Sequence, residues 1–306
     1  MKRILYVLLL TLVAVLPALA QKTVTTETEM KSFTGLSVSD DFTVTIRKGD
    51  GYGLKTNIDE RIDPFVIAYV KDGILYLDIE RKKFTPELKK SLRATRTNAP
   101  VIEAEVSVPF VKSLEISGNA LIKGADDIET DSFVLKASEK SSIANVEVIC
   151  SNAELNVSKG ASVDVEINAS SLLQVRTSGT SKTFIKHKGD SLSIASTGTS
   201  ALEAMIDVKG LVVDNSGMSS IKIVSGKVDG LMVDASGSAK FNAVDVAVPT
   251  AYIIQSGSSR SIVNVTDTLK VNLVGNSTLE FKDNPYIDLV KIVSSTLTRY
   301  DVSSSK

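Results

Sequence analysis

The stretch Leu192-Ser-Ile-Ala-Ser-Thr-Gly-Thr-Ser-Ala-Leu-Glu-Ala204 decides the fold, because the chain repeats it. It contains a short alternating strand, a corner of Ser, Thr and Gly, and a second alternating strand. Close copies follow at residues 211–223 and 231–243. Self-similarity at a fixed short period is typical of a solenoid, in which each unit buries its apolar face only against its neighbours.

Ten such units can be aligned on the inward residue that precedes each corner. The aligned column, with steps of 18 to 22 residues, is Ile116, Leu135, Val157, Val175, Ile194, Val213, Val233, Ile253, Val271 and Ile292. The residue two positions earlier is apolar in every unit. After most corners an apolar residue starts the next strand, as at Val165, Phe184, Leu202, Ile221, Phe241, Ile262 and Leu279.

A unit of this length fits one coil of a parallel β-helix, since strands rise about 3.3 Å per residue and stack about 4.8 Å apart. We therefore predict an all-β fold over residues 111–303, a parallel β-helix of about ten coils. Crossovers between parallel strands are right-handed almost always, so the coil is expected to be right-handed. An antiparallel sandwich, or a propeller with two units per blade, remains the alternative.

The corners share Gly with Ser or Thr, as in Ser-Gly-Thr-Ser (178–181) and Ser-Gly-Met-Ser (216–219). Glycine permits the positive φ that a sharp corner needs, and hydroxyls can bond neighbouring backbone. Stacked corners would form a polar ladder along one edge. A corner-forming role is favoured over a ligand-binding ridge.

The first 110 residues differ from the repeat. Residues 1–20 have a basic start, an apolar run and an Ala18-Leu19-Ala20 cleavage site, which predicts a signal peptide. Residues 21–110 are expected to be a cap, continuous with the solenoid, with a short helix near residues 57–66 and a hairpin that turns at Asp72-Gly73. The basic insertion 81–99, with a helical turn begun by Pro86, is interpreted as a solvated excursion rather than an anionic-surface or partner site.

Composition excludes several classes of function. The chain has 35 Lys and Arg against 36 Asp and Glu, which argues against a nucleic-acid partner. Aromatics are 5% and Trp is absent, which weakens a sugar-platform interpretation. The lone Cys150 excludes an intrachain disulfide and is expected to be a buried small hydrophobe. The lone His187 is expected to lie exposed on a strand edge.

No catalytic, cofactor-binding or metal-binding residue is assigned, because no known catalytic or phosphate-binding motif occurs. Asp214 and Asp234 occupy equivalent positions in adjacent units, where they could bind Ca²⁺ or perform acid–base chemistry. A pair of solvated acids on an outward face is favoured. Asp40–Asp41 and Asp126–Asp127 are likewise interpreted as loop acids.

Three segments carry a resemblance to a known family: residues 33–46 (FTGLSVSDDFTVTI), 72–77 (DGILYL) and 106–120 (VSVPFVKSLEISGNA). With the Ser-Gly-Ser-type repeats, they resemble the "putative auto-transporter adhesin, head GIN domain" family over residues 30–300. The resemblance implies an exported protein of Gram-negative bacteria with a parallel β-helix. It offers no catalytic residues, and the insertion 81–99 departs from the family's compact pattern.

Two functions are carried forward. The first is an exported non-enzymatic adhesin or interaction module of the periplasm, cell surface or extracellular space, whose partner is a cell-surface glycan or protein. No transmembrane segment is expected in the mature chain. The alternative is a polysaccharide lyase or hydrolase, by analogy with other β-helices. The evenly short coils between residues 175 and 271 favour the first function, because they leave little chain to wall a cleft.

Overall fold

A computed structural model describes residues 22–94 and 99–300, so the predicted signal peptide lies outside the described residues. The N-terminal region contains one α-helix, α1 (Pro86–Ala94), and the strands β1 (Thr23–Glu29), β2 (Gly35–Val38), β3 (Thr43–Lys48), β4 (Gly53–Asp59), β5 (Val66–Lys71), β6 (Ile74–Ile79) and β7 (Ile102–Val108). The strands that follow are β8 (Ser113–Ile116), β9 (Leu121–Ala125), β10 (Ile128–Glu129), β11 (Ser132–Ala137), β12 (Ser142–Val157), β13 (Ser162–Thr177), β14 (Lys182–Ser196), β15 (Ala201–Asn215), β16 (Ser220–Ala235), β17 (Lys240–Gln255), β18 (Arg260–Val274), β19 (Thr278–Lys282), β20 (Tyr286–Val293) and β21 (Thr296–Arg299).

These strands form a β-solenoid of about nine turns over residues 113–299, which confirms the predicted parallel coil. We call the strand segments that lead into each glycine corner wall A and those that follow it wall B. Each long strand from β12 to β18 runs along wall B, bends, and continues along wall A. Successive turns pair in parallel, as Leu155 with Val175 and Val175 with Ile194. One continuous apolar core fills the space between the walls.

The register differs from the predicted column at three residues. Leu135 pairs with Leu114 and Leu155, whereas Ile116 and Val157 lie one inward position further on and pair with Ala137. At the C-terminal end, Ile292 pairs with Leu273 rather than with Val271. Alternate strand residues share a face, so a slip of two residues leaves every side chain inward and changes no hydrophobic pattern.

The first inward position of wall B is also polar in two turns. Thr183 and Ser261 are buried there, in register with Leu202 and Leu279. Phe184 and Ile262, which were predicted to start these strands from inside, are half-buried on the outward side. The prediction took the apolar residue at the start of each strand to face inward. Which residues face inward is set instead by the register with the strands of the neighbouring turns.

Every regular corner passes through left-handed backbone at the same point. Gly179, Gly198, Gly217, Gly237 and Gly257 have φ between 69° and 75°, as the corner prediction required. They also stack on one another, because a Cβ added at Gly217 would lie 2.9 Å from the carbonyl oxygen of Gly198. The close approach reserves this column for glycine in the middle of the solenoid.

In several corners one serine hydroxyl lies inside the turn. A serine two residues after the left-handed position donates to the carbonyl three residues before it, at 2.6 to 2.9 Å, for Ser141, Ser200, Ser219 and Ser259. All four serines are buried. The hydroxyls of these four corners therefore close the turn from within, whereas the Ser181 hydroxyl, buried at the same position of its own corner, has no hydrogen-bond partner among the described residues.

Replacing Gly217 by Ala is expected to destabilise the protein by about 1–2 kcal/mol from left-handed backbone alone, and further from the contact with the turn below. Gly210→Ala is the matched control, because a Cβ there meets only Ser191 Oγ at 3.9 Å. Urea unfolding of both variants measures the difference. Equal stabilities would show that the corner does not constrain the turn.

The first turn of the chain is not at the end of the stack. Along wall A, β2 lies between β6 and β8. Along wall B, β3 lies between β7 and β9. The chain therefore builds one turn, adds the β6–β7 turn beneath it, and crosses back to continue above it. The antiparallel strands β5 on wall A, and β4 and β1 on wall B, close the lower end.

The basic insertion packs against this lower end, which corrects its interpretation as a solvated excursion. Phe84 is buried and meets Phe65 edge-on at 4.9 Å between ring centroids. In α1, begun by Pro86 as predicted, Leu88 and Leu92 pack on the core. The short helix expected near residues 57–66 is one 3₁₀ turn, Asp63–Phe65, because β4 extends to Asp59. The hairpin at Asp72-Gly73 is confirmed.

Arg81 joins the interleaved turns. Its guanidinium contacts Asp40, at 2.6 Å, and Asp41 in the corner of the first turn, and Asn119 Nδ2 donates to Asp41 from the next turn at 2.7 Å. Burial and a hydrogen bond with Asp78 raise the pKa of Asp40, while Arg81 opposes this. The predicted loop acids Asp40 and Asp41 thus belong to a network that spans three turns.

Arg81→Ala is expected to lower the free energy of unfolding by roughly 1 kcal/mol, the upper end for exposed ion pairs. Lys83→Ala is the control, because Lys83 forms a fully local pair with Glu80 at 2.6 Å. Urea unfolding gives the stabilities, and hydrogen exchange should accelerate in β2 and β3 only for Arg81→Ala. Indistinguishable variants would contradict a role for Arg81 in joining the turns.

Candidate functional site

An open groove of about 970 Å³ crosses five successive levels of the solenoid at the bend between wall B and wall A. Its lining residues are Phe110, Lys112, Glu129, Thr130, Asp131, Ile149, Cys150, Ser151, Asn168, Ser170 and Lys188. With about 4.8 Å between levels, the groove is about 19 Å long. It can therefore accommodate an extended chain of about six residues at 3.3 Å per residue.

The lower wall of the groove exists because of the interleaved first turn. Residues 109–112 carry the chain from β7, beneath β3, to β8, above β2, and this crossing presents Phe110 and Lys112. Lys112 is fixed at both backbone groups: its N–H donates to Thr34 at 2.7 Å and its carbonyl accepts from Val134 at 2.9 Å. The Lys112 ammonium lies 5.8 Å from the Phe110 ring centroid.

At the upper levels of the groove, the pairing between neighbouring strands is interrupted at the bend. The β12–β13 register shifts between Cys150 and Asn152, and β13–β14 pairing is interrupted after Glu166 until Leu172. The β14–β15 pair, by contrast, continues as far as Gly189 and Val208. The side-chain Oδ1 of Asn168 accepts the Lys188 N–H at 3.1 Å and replaces a missing ladder bond.

Gly189 permits the tight approach of these levels. A Cβ at this position would lie 2.0 Å from the Ala169 carbonyl oxygen, so the backbone could not follow the turn below with a larger residue. The bend at residues 168–170 and 188–189 therefore has a fixed shape, which holds Asn168, Ser170 and Lys188 along one side of the groove.

The groove combines apolar surface with charges of both signs. Phe110 is 42% and Ile149 47% exposed, large values for apolar side chains in this chain. Lys112 and Lys188 are the cations, and Glu129 and Asp131 the carboxylates. Hydroxyl and amide groups of Thr130, Ser151, Asn168 and Ser170 complete the lining. Such a surface can bind a ligand that presents apolar, polar and charged groups in series.

Cys150 lies in the groove but is buried, which agrees with its prediction as a small hydrophobe. Burial raises the pKa of the Cys150 thiol, so the reactive thiolate form is disfavoured. The groove residues themselves were not identified from sequence. One usable signal was present: Val148-Ile149-Cys150 places an apolar residue at the outward position between two inward ones.

His187 is buried, so its predicted exposed position was wrong. Its side chain occupies an inward position of β14, paired with Ile206, and its Nδ1 lies 2.6 Å from the Ile167 carbonyl oxygen. Burial lowers the pKa of His187, against an opposing effect of hydrogen bonds with backbone. The flanking Lys186 and Lys188, both exposed, misled the prediction, because alternation turns the residue between them inward.

A lowered pKa in the folded state makes stability depend on pH. The ordinary pKa of histidine is 6.5. Above this pH, His187 is neutral in both the folded and the unfolded chain, whereas below it the unfolded chain takes up the proton more readily. The wild-type Tm is therefore expected to fall more steeply than that of His187→Gln as pH decreases from neutrality through this value. Calorimetry of both proteins over this range tests this, and parallel slopes would contradict it.

Asp214 and Asp234 are brought together as the repeat predicted. They pair in register on adjacent turns of wall A, both outward and exposed. Burial raises the pKa of Asp234, and the charge of Asp214 raises it further. Among residues 22–94 and 99–300, no group of three or more His, Cys, Asp or Glu is placed to hold a metal ion.

Asp126 and Asp127 make different contacts. Asp126 accepts from the Lys48 backbone at 3.0 Å and from Arg47 at 3.2 Å, and these contacts lower its pKa. Asp127 lines a smaller depression with Glu147 and Lys186. Asp126 is therefore tied to the β3 turn rather than presented to a ligand.

The parallel solenoid, with an open groove across its turns, has the architecture of a repeat protein. The family model "Putative auto-transporter adhesin, head GIN domain" matches residues 32–166 and 145–285. The chain belongs to this family, as the sequence resemblance implied.

Three solved structures align with most of this chain. A putative adhesin from Parabacteroides distasonis aligns with 92% of this chain and 98% of its own, at 14% identity and a TM-score of 0.52, which shows the shared fold. A putative adhesin from Parabacteroides merdae has 15% identity and a TM-score of 0.44 over the same shares. A P. distasonis protein described as a putative lipid binding protein has 15% identity and a TM-score of 0.49, also over 92% and 98%.

No curated protein matches the chain. In the part of the chain that the structure describes, no helix has the length and apolar character required to cross a membrane.

Proposed function

We propose that this protein is an exported, non-enzymatic adhesin module that binds an extended segment of a surface protein in the groove. The observation that carries the proposal is the exposed pair Phe110 and Ile149, set among cations, carboxylates and amide groups on a fixed surface. Export is supported by the predicted signal at residues 1–20, which leads to the periplasm, cell surface or extracellular space.

A protein segment fits the groove better than a glycan. Sugar rings stack on open aromatic faces, whereas Lys112 lies over the ring of Phe110, the aromatic residue of the lining. Charges of both signs within one groove suit a peptide that alternates apolar and charged side chains. The approximate length of six extended residues also matches the size of a linear peptide motif.

Binding is tested with the mature chain, residues 21–306, on a displayed library of linear peptides and, in parallel, on a glycan array. Ile149→Asp is expected to weaken binding of selected peptides by at least about tenfold, because it puts a charge into the apolar part of the groove. Val212→Asp is the matched control, since Val212 is 49% exposed on wall A, away from the groove. It should bind as the wild type does.

Three results would contradict the proposal: no peptide is selected, Ile149→Asp and Val212→Asp bind the selected peptides with equal affinity, or only glycans are bound. The enzymatic alternative rests on Glu129 and Asp131, two carboxylates that line the same groove. It predicts cleavage of an acidic or neutral polysaccharide that Glu129→Gln and Asp131→Asn abolish. Release of new sugar ends on incubation with such polysaccharides would establish it.

A further inference from the structure

The two ends of the solenoid are closed differently. At the lower end, β1 is the outer strand of wall B and carries Glu27 and Glu29 among exposed polar residues. Charged, antiparallel edge strands of this kind resist pairing with other chains. At the upper end, β20 pairs with β18 alone and β21 with β19 alone among the described residues. Their outer backbone edges have no sheet neighbour there.

The upper edge is apolar. On β20, Tyr286 is 73% and Leu289 55% exposed, and Val290 and Val293 are about half exposed. Such an edge is a template for another strand unless something covers it. The sequence of β20 indicates which partner covers this edge.

β20 is complementary to itself when paired antiparallel about its centre. This register places Tyr286 opposite Val293, Ile287 opposite Ile292, and Asp288 opposite Lys291 of a second copy. A two-fold axis would repeat each pair, so Asp288 and Lys291 would form two ion pairs between the copies. Neither residue has an ion-pair partner within the described residues of its own chain.

A register shift in β20 makes this pairing geometrically consistent. Asp288 pairs with Lys270 of β18, and Lys291 pairs with Asn272. On β20 the two residues are three positions apart, whereas their partners on β18 are two positions apart. The extra residue turns Asp288 and Lys291 to the same, outward side of the sheet. In a regular strand they would face opposite sides and could not pair about a perpendicular two-fold axis.

We propose that a second copy of this chain covers the upper end, through antiparallel pairing of β20 with β20 about a two-fold axis. The contact closes on itself, so it yields a dimer and not a filament. It extends wall A continuously through both copies and leaves the two grooves free. The inference does not depend on the proposed ligand of the groove.

Sedimentation equilibrium of the mature chain, from low to high micromolar concentration, is expected to give a monomer–dimer equilibrium. Asp288→Lys places lysine opposite Lys291, and Lys291→Asp places aspartate opposite Asp288, so each should weaken dimerisation by at least about tenfold. The double variant D288K/K291D restores opposite charges and should recover the wild-type affinity. Recovery also shows that the single variants had not lost the dimer by misfolding.

Glu203→Lys, a charge reversal at an exposed strand position in the middle of the solenoid, is the control and should leave dimerisation unchanged. A monomer at all concentrations would overturn the proposal. Masses that grow beyond the dimer would overturn it in favour of head-to-tail stacking. Failure of the double variant to recover would exclude the proposed register.

Discussion

The structure depends on one repeated constraint: each turn must reverse through left-handed backbone directly above the same point of the turn below. Gly198, Gly217 and Gly237 approach so closely that a Cβ on each would meet backbone about 3 Å away. This contact fixes where each wall ends, and in four corners, such as those of Ser200 and Ser219, a buried serine holds the reversal from inside. The core, the sheet registers and the outward columns all follow from that fixed point.

The fold could be predicted because strand and corner signals repeat together. The corner glycines and the apolar faces gave the coil and its approximate period. The exact stacking could not be obtained from the apolar pattern, because residues two apart face the same way. Val157 and Leu155 are equally buried and apolar, and only the corner position distinguishes their columns. Aligning on the left-handed residue would have placed Glu139 and Lys159 above Gly118 and corrected the early turns.

The candidate site was beyond a repeat-based argument. Such an argument assumes that turns adjacent in sequence are adjacent in space, and the β6–β7 turn breaks this rule. The crossing at residues 109–112 that brings Phe110 over the bend exists only because of that break. The positions of Asp214 and Asp234 could be predicted, because they lie where successive turns are regular. Local irregularity, which sequence patterns record poorly, shapes the groove.

The interleaved first turn also sets the order in which the chain can complete itself. β2 and β3 gain neighbours on both edges only when β6 to β9 are present, so a chain growing from its N-terminus holds an unfinished turn until about Ile122. Each later turn can add to a finished predecessor as it emerges. The first three turns can therefore be completed only together, whereas the later turns can be completed one after another.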